Sequence, residues 1–221
     1  MNLNKYIEHT LLKQDATKVE VIKLLDEAIK NSFLGVCVNP VNVKLASEYL
    51  KETDIKVVTV VGFPLGQTTT ESKVLETIDA IKNGADEIDM VLNSGKLKDG
   101  EFDYIVEEIS KIKKACQGKA LKVILETDLL TKEEIKTASE LCMKGGADFV
   151  KTSTGFVKNG VGAKVEDVAI MKANISDDMF VKASGGIKTL ENVESLVAAG
   201  AGRIGASSGI DIITEYNKKG E

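Results

Sequence analysis

Short runs rich in Val and Ile recur along the whole chain, and a segment of helical period separates each run from the next. The runs are residues 33–39, 57–63, 87–93, 121–127, 149–155, 180–186 and 203–208, with a weaker eighth at 7–12. Strands covered on both faces read this way, as in a parallel sheet. The connecting segments carry helix signals. Thr17 with Glu20, and Thr131 with Glu134, fit capping boxes. Asn39 before Pro40 suits an N-cap with proline at the first helical position. Gly84, Gly145 and Gly200 stand where helices should stop. Gly84-Ala85-Asp86-Glu87-Ile88 returns as Gly146-Ala147-Asp148-Phe149-Val150 and, more loosely, as Gly200-Ala201-Gly202-Arg203-Ile204. Eight β–α units in a row imply an α/β fold, a single-domain (β/α)8 TIM barrel over residues 1–221. The alternative is an open doubly wound sheet. No G-x-G-x-x-G follows the first strong strand and no Walker A sequence is present.

Composition narrows the function. The 221 residues carry a net charge of −5, which offers no general attraction for nucleic acid or an anionic membrane. No window approaches the roughly 18 apolar residues of a membrane span. The first ten residues lack a signal-peptide pattern. Cys37, Cys116 and Cys142 are far apart with no CxxC spacing, which suits free thiols in a reducing cytoplasm. His9 is the one histidine. A multi-His metal site is therefore excluded, and lysines and carboxylates must carry acid, base or nucleophilic chemistry. His9 itself and Cys37 read as structural residues.

In a barrel, function gathers where strands end. Asp89, Lys151 and Lys182 each interrupt an otherwise apolar strand. An unpaired charge is costly against an apolar helix layer, so the two lysines should face the barrel interior. They lie on consecutive strands, where their mutual repulsion and burial should lower at least one pKa. A neutral amine is what imine formation needs. On geometry either lysine suits that role, and each could instead simply pair with an acid such as Asp89. Gly155, Gly185-Gly186 and Gly205-Ala206-Ser207-Ser208 follow the last three strands. Barrels often bind phosphate there, through backbone N–H groups, hydroxyls and a helix start.

The chain resembles the deoxyribose-phosphate aldolases, a family of class I, Schiff-base aldolases. The resemblance rests on Ile7-Glu-His-Thr-Leu-Leu12, Val36-Cys-Val-Asn-Pro40, Val61-Gly-Phe-Pro-Leu-Gly66, Glu87-Ile-Asp-Met-Val91, Lys122-Val-Ile-Leu-Glu-Thr127, Phe149-Val-Lys-Thr-Ser-Thr-Gly155, Val181-Lys-Ala-Ser-Gly-Gly-Ile187 and Arg203-Ile-Gly-Ala-Ser-Ser208, in order over almost the whole chain. It implies that Lys151 forms the Schiff base while Lys182 and Asp89 manage protons around it. It implies reversible cleavage of 2-deoxy-D-ribose 5-phosphate to D-glyceraldehyde 3-phosphate and acetaldehyde, with no metal and no organic cofactor. It also implies a homo-oligomer, a dimer by preference. Two stretches depart from the family pattern. Residues 158–164 replace a Gly-Gly-Ala-Thr loop, and the chain ends Tyr216-Asn-Lys-Lys-Gly-Glu221 rather than on a tyrosine. Competing expectations are an aldolase with a different carbonyl donor, a metal-dependent aldolase and a non-catalytic phosphosugar-binding barrel.

Overall fold

The computed structural model of the chain describes residues 2–219. Eight parallel strands close into a barrel in sequence order: β1 (Ile7–Leu11), β2 (Gly35–Val38), β3 (Lys56–Val61), β4 (Glu87–Val91), β5 (Ala120–Ile124), β6 (Phe149–Lys151), β7 (Phe180–Ser184) and β8 (Ala201–Ala206). The weakest run, 7–12, supplies β1, which pairs in parallel with both β2 and β8 and so closes the ring. The helices are α1 (Lys18–Lys30), α2 (Val43–Leu50), α3 (Thr70–Lys82), α4 (Ser94–Lys98), α5 (Phe102–Ala115), α6 (Lys132–Lys144), α7 (Val165–Ala173), α8 (Leu190–Ala198) and α9 (Gly209–Lys219).

Local chemistry sets the helix boundaries. Both capping boxes form, at Thr17 with Glu20 and at Thr131 with Glu134. Each satisfies two backbone donors that the first turn leaves open. Pro40 opens a short 3-10 turn, Pro40–Asn42, that leads into α2 rather than opening α2 itself. After α6 it is Gly146, with φ 82°, that takes the left-handed position, not Gly145. The repeated Gly-Ala-Asp has a physical role. Asp86 Oδ2 accepts the Val57 N–H at 2.9 Å, and Asp148 Oδ2 accepts the Leu121 N–H at 2.7 Å. Each aspartate thus ties the start of its own strand to the strand before it.

The period of two along each strand separates two interiors. Val36, Ile88, Met90, Val123, Val150, Val181 and Ile204 point out and join one continuous apolar layer beneath the helices. Inside the barrel, Leu12, Cys37, Val58 and Val60 form a small apolar cluster on the β2–β3 side. Cys37 is fully buried, and burial pushes its thiol up to about 11, as suits a structural residue. His9, also buried, has Nε2 2.8 Å from Glu27 Oε2. Among the described residues, no helix is long and apolar enough to cross a membrane.

Candidate active site

The other side of the barrel interior holds a cluster of charged side chains around the Phe149 ring. Asp89 on β4 is fully buried and touches three lysines. Its Oδ1 accepts from Lys122 Nζ at 2.9 Å, and its Oδ2 accepts from Lys151 at 2.7 Å and Lys182 at 2.6 Å. Lys151 and Lys182 are direct register partners on β6 and β7, which is why one carboxylate oxygen reaches both. Lys182 also donates to Glu8 Oε2. Below this layer, Glu87 Oε2 lies 2.6 Å from Lys122 and 3.4 Å from Arg203, which also donates to Glu8 Oε1 at 3.1 Å. Four cations inside the barrel, Lys122, Lys151, Lys182 and Arg203, thus face three carboxylates, Glu8, Glu87 and Asp89, and the more exposed Lys56 reaches Glu87 Oε1 at 3.7 Å.

Burial opposes the charges of Glu8, Asp89, Lys122 and Lys182, and the pairings overrule it. Burial alone would raise Asp89, yet Lys122, Lys151 and Lys182 hold its carboxyl well below the usual range. Lys122 and Lys182 likewise hold Glu8 down. Burial alone would lower Lys182, but Asp89 and Glu8 hold its ammonium well above the lysine range. The expected effect of lysine–lysine repulsion is therefore reversed at Lys182, because two carboxylates sit closer in the charge balance than the second amine.

A cleft of about 380 Å³ opens at the C-terminal end of the strands, and Lys151 lines its floor together with Thr10, Ser153, Ser184 and Ala206. Lys182 and Asp89 are not among its lining residues. Gly155, Gly185, Gly186, Gly205 and Ser207 line it as well, while the half-buried Ser208 follows just before α9 and its carbonyl accepts the Ile212 N–H at 3.1 Å. Gly205 has a second reason to be glycine. A Cβ there would stand 3.0 Å from Lys182 Cε, so its absence makes room for the Lys182 side chain to cross to β1. The ends of β6 and β7 are braced together. Thr152 Oγ1 donates to Ser184 O at 2.9 Å, and Ser184 Oγ donates to Ser153 O at 2.6 Å. The Ser153 hydroxyl, buried at the cleft, has no hydrogen-bond partner among the described residues. Among the described residues, no three of His, Cys, Asp and Glu gather as a metal ion would need.

Residues 4–215 match the family described as DeoC/LacD family aldolase. The chain belongs to that family. It is an aldolase, and therefore a lyase, acting on small molecules. It is 54% identical over 213 residues, 96% of each chain, to deoxyribose-phosphate aldolase 1 of Staphylococcus aureus (strain MRSA252). It is 56% identical over 213 residues, 96% of this chain and 100% of the other, to deoxyribose-phosphate aldolase of Clostridium botulinum (strain ATCC 19397 / Type A). A solved structure described as a tetrameric deoxyribose phosphate aldolase from Aeropyrum pernix superposes with a TM-score of 0.90 at 31% identity, covering 98% of this chain and 92% of that one.

The sequence pattern points to Asp89, Lys151 and Lys182 but not to Glu8, Glu87, Lys122 and Arg203. Lys122 carried the same signal as the other two lysines, a cation inside the apolar run Leu121–Ile124. Glu8 and Arg203 stand near strand ends, where a charge is ordinary, so only barrel closure shows that they meet.

Proposed function

We propose that this aldolase cleaves 2-deoxy-D-ribose 5-phosphate to D-glyceraldehyde 3-phosphate and acetaldehyde, reversibly, with Lys151 as its Schiff-base amine. One observation carries the assignment: Lys151 is the amine of the buried charge cluster that also lines the cleft.

The neutral amine attacks C1 of the open-chain sugar, and loss of water gives an iminium ion. Asp89, 2.7 Å from Lys151 Nζ, offsets the charge that this ion restores. Removal of the C3 hydroxyl proton turns that carbon into an aldehyde as the C2–C3 bond breaks. The bond's electron pair moves to C2 and makes an enamine. Glyceraldehyde phosphate leaves, C2 takes up a proton, and water hydrolyses the acetaldehyde iminium to free Lys151. The proton transfers pass through water beside Asp89 and Lys182. Lys182 remains an ammonium ion, and its charge keeps Asp89 ionised and turned towards Lys151. Gly155, Gly185, Gly186, Gly205, Ser207 and Ser208 hold the remote phosphate, with the N-terminus of α9 adding its dipole. The enzyme works in the cytoplasm without metal or organic cofactor, as a single-domain protomer of a homo-oligomer, a dimer by preference. The tetrameric description of the Aeropyrum relative supports association of some kind.

Acetaldehyde with borohydride tests this reading, because borohydride fixes an imine as a secondary amine. Peptide mapping is expected to find one two-carbon unit on Lys151, and Lys151→Arg is expected to abolish both labelling and turnover. Label on Lys182 would reverse the assignment, and no label on either lysine would remove the Schiff base.

A further inference from the structure

Glu126, just beyond β5, is 4% exposed and adopts φ 60°, ψ 63°. Residues other than glycine enter that left-handed region at a cost, and they persist there when surrounding contacts demand it. The contacts here go to one residue of the next loop. Glu126 Oε1 accepts the Thr154 N–H at 3.1 Å, and Oε2 accepts the Thr154 hydroxyl. The same hydroxyl oxygen accepts the Phe156 N–H at 3.0 Å. A threonine hydroxyl has one hydrogen and two lone pairs. Glu126 takes the hydrogen and Phe156 takes one lone pair. Thr154 lines the cleft above Lys151, so the second lone pair is what it can offer a bound molecule.

We propose that Glu126 is a positioning residue that fixes the Thr154 side chain as a hydrogen-bond acceptor for a hydroxyl group of the sugar phosphate. The inference rests on the Schiff-base reading above and adds to it a group that selects hydroxylated substrates. Asp128, two residues on, has a separate task. Its Oδ2 accepts the Gly162 N–H at 2.7 Å and its Oδ1 pairs with Lys164 at 2.9 Å, which anchors the far part of the same loop away from Thr154. Burial pushes the Glu126 carboxyl up against the Thr154 hydrogen bonds, with Asp128 and Lys151 the charged groups that face it. Protonation of Glu126 would put a second hydrogen between the two side chains and turn the Thr154 hydroxyl towards the cleft as a donor.

Glu126→Gln reproduces that reversal without acid. Its amide oxygen must still accept the Thr154 N–H, so its NH2 group faces the Thr154 oxygen and releases the hydroxyl hydrogen. Cleavage of deoxyribose 5-phosphate is expected to lose about tenfold in kcat/KM, the weight of one hydrogen bond in the wrong sense. The acid limb of its pH profile is expected to move away from the wild-type position. The rate at which acetaldehyde and borohydride label Lys151 should not fall, because acetaldehyde carries no hydroxyl and loss of the Glu126 charge favours the neutral amine. Thr154→Val should show a similar cleavage loss, Thr154→Ser should recover most of it, and the double variant Glu126→Gln/Thr154→Val should lose little more than either single change. Wild-type cleavage kinetics in Glu126→Gln would overturn the proposal. So would a parallel fall in labelling, which would mark a structural role, or losses that multiply in the double variant. Absence of labelling in the wild type would instead sink the Schiff-base reading, and the coupling between Glu126 and Thr154 is read in cleavage alone.

Discussion

Asp89 concentrates the chemistry of the site in one side chain. Its two oxygens accept from Lys122, Lys151 and Lys182, and nothing else within the barrel offers a carboxylate to both β6 and β7. Asp89→Asn keeps the shape but removes the charge. Three buried lysines would then share the remaining acids, and the proposed iminium would lose its counter-ion. The expected result is a drop of 10²- to 10⁴-fold, on the order found for lost acid–base groups, in kcat for cleavage. A fall in Tm should accompany it, because breaking a buried pair costs about 3–5 kcal/mol. Circular dichroism separates the two effects, and a folded variant with near-normal kcat would remove Asp89 from the reaction.

Among the elements, the loops after β6, β7 and β8 divide the remaining work. The Gly185 loop packs so closely on the preceding one that a Cβ on Gly162 would come within 2.3 Å of Gly185 O, while Ala163 N donates to that same carbonyl at 3.1 Å. These two loops form one wall of the cleft, and the turn from β8 into α9 forms the next. Ser207 is exposed on that turn and lines the cleft. Ser207→Asp would place a carboxylate where the substrate phosphate is proposed to bind. KM for deoxyribose 5-phosphate is expected to rise about tenfold or more, since like charges repel strongly beside a partly desolvated site. Turnover of unphosphorylated deoxyribose should change much less, and equal losses on the two sugars would move the phosphate elsewhere.

The charge cluster also ties the whole barrel to pH. Glu8 and Asp89 titrate below their ordinary 4.5 and 3.8 in the folded chain. Their contribution to stability is complete above those unfolded values and drains away as pH falls through the lower folded ones. Lys122 and Lys182 are held above 10.5, so their contribution is complete below 10.5 and is lost as pH rises through their folded values. Thermal melts should therefore show a plateau from about pH 5 to pH 10, with loss on both sides. Glu8→Gln should lower the neutral Tm and flatten the acid side. An acid limb of unchanged steepness in that variant would show that other carboxylates govern it.

The order of strands, both capping boxes and the inward direction of Lys151 and Lys182 were legible in the sequence because each rests on a pattern within one segment of the chain. The cost of an unpaired charge against an apolar helix layer fixes which way a lysine in such a strand points, and Thr with Glu three residues on fixes where a helix begins. The chain could not, from its own pattern, separate Lys151 from Lys182 as the amine that meets substrate. The proposed distinction rests on depth: Lys151 lines the cleft while Lys182 does not and is held between Glu8 and Asp89. Glu8 and Lys182 are 174 residues apart, and β1 and β8 become neighbours only when the barrel closes. Glu126 is a similar case, since its partner Thr154 lies on the following strand's loop. Sequence periodicity reports the direction of a side chain along its own strand. Charge balance inside a barrel is a sum over all the strands, and only closure brings those charges within reach of one another.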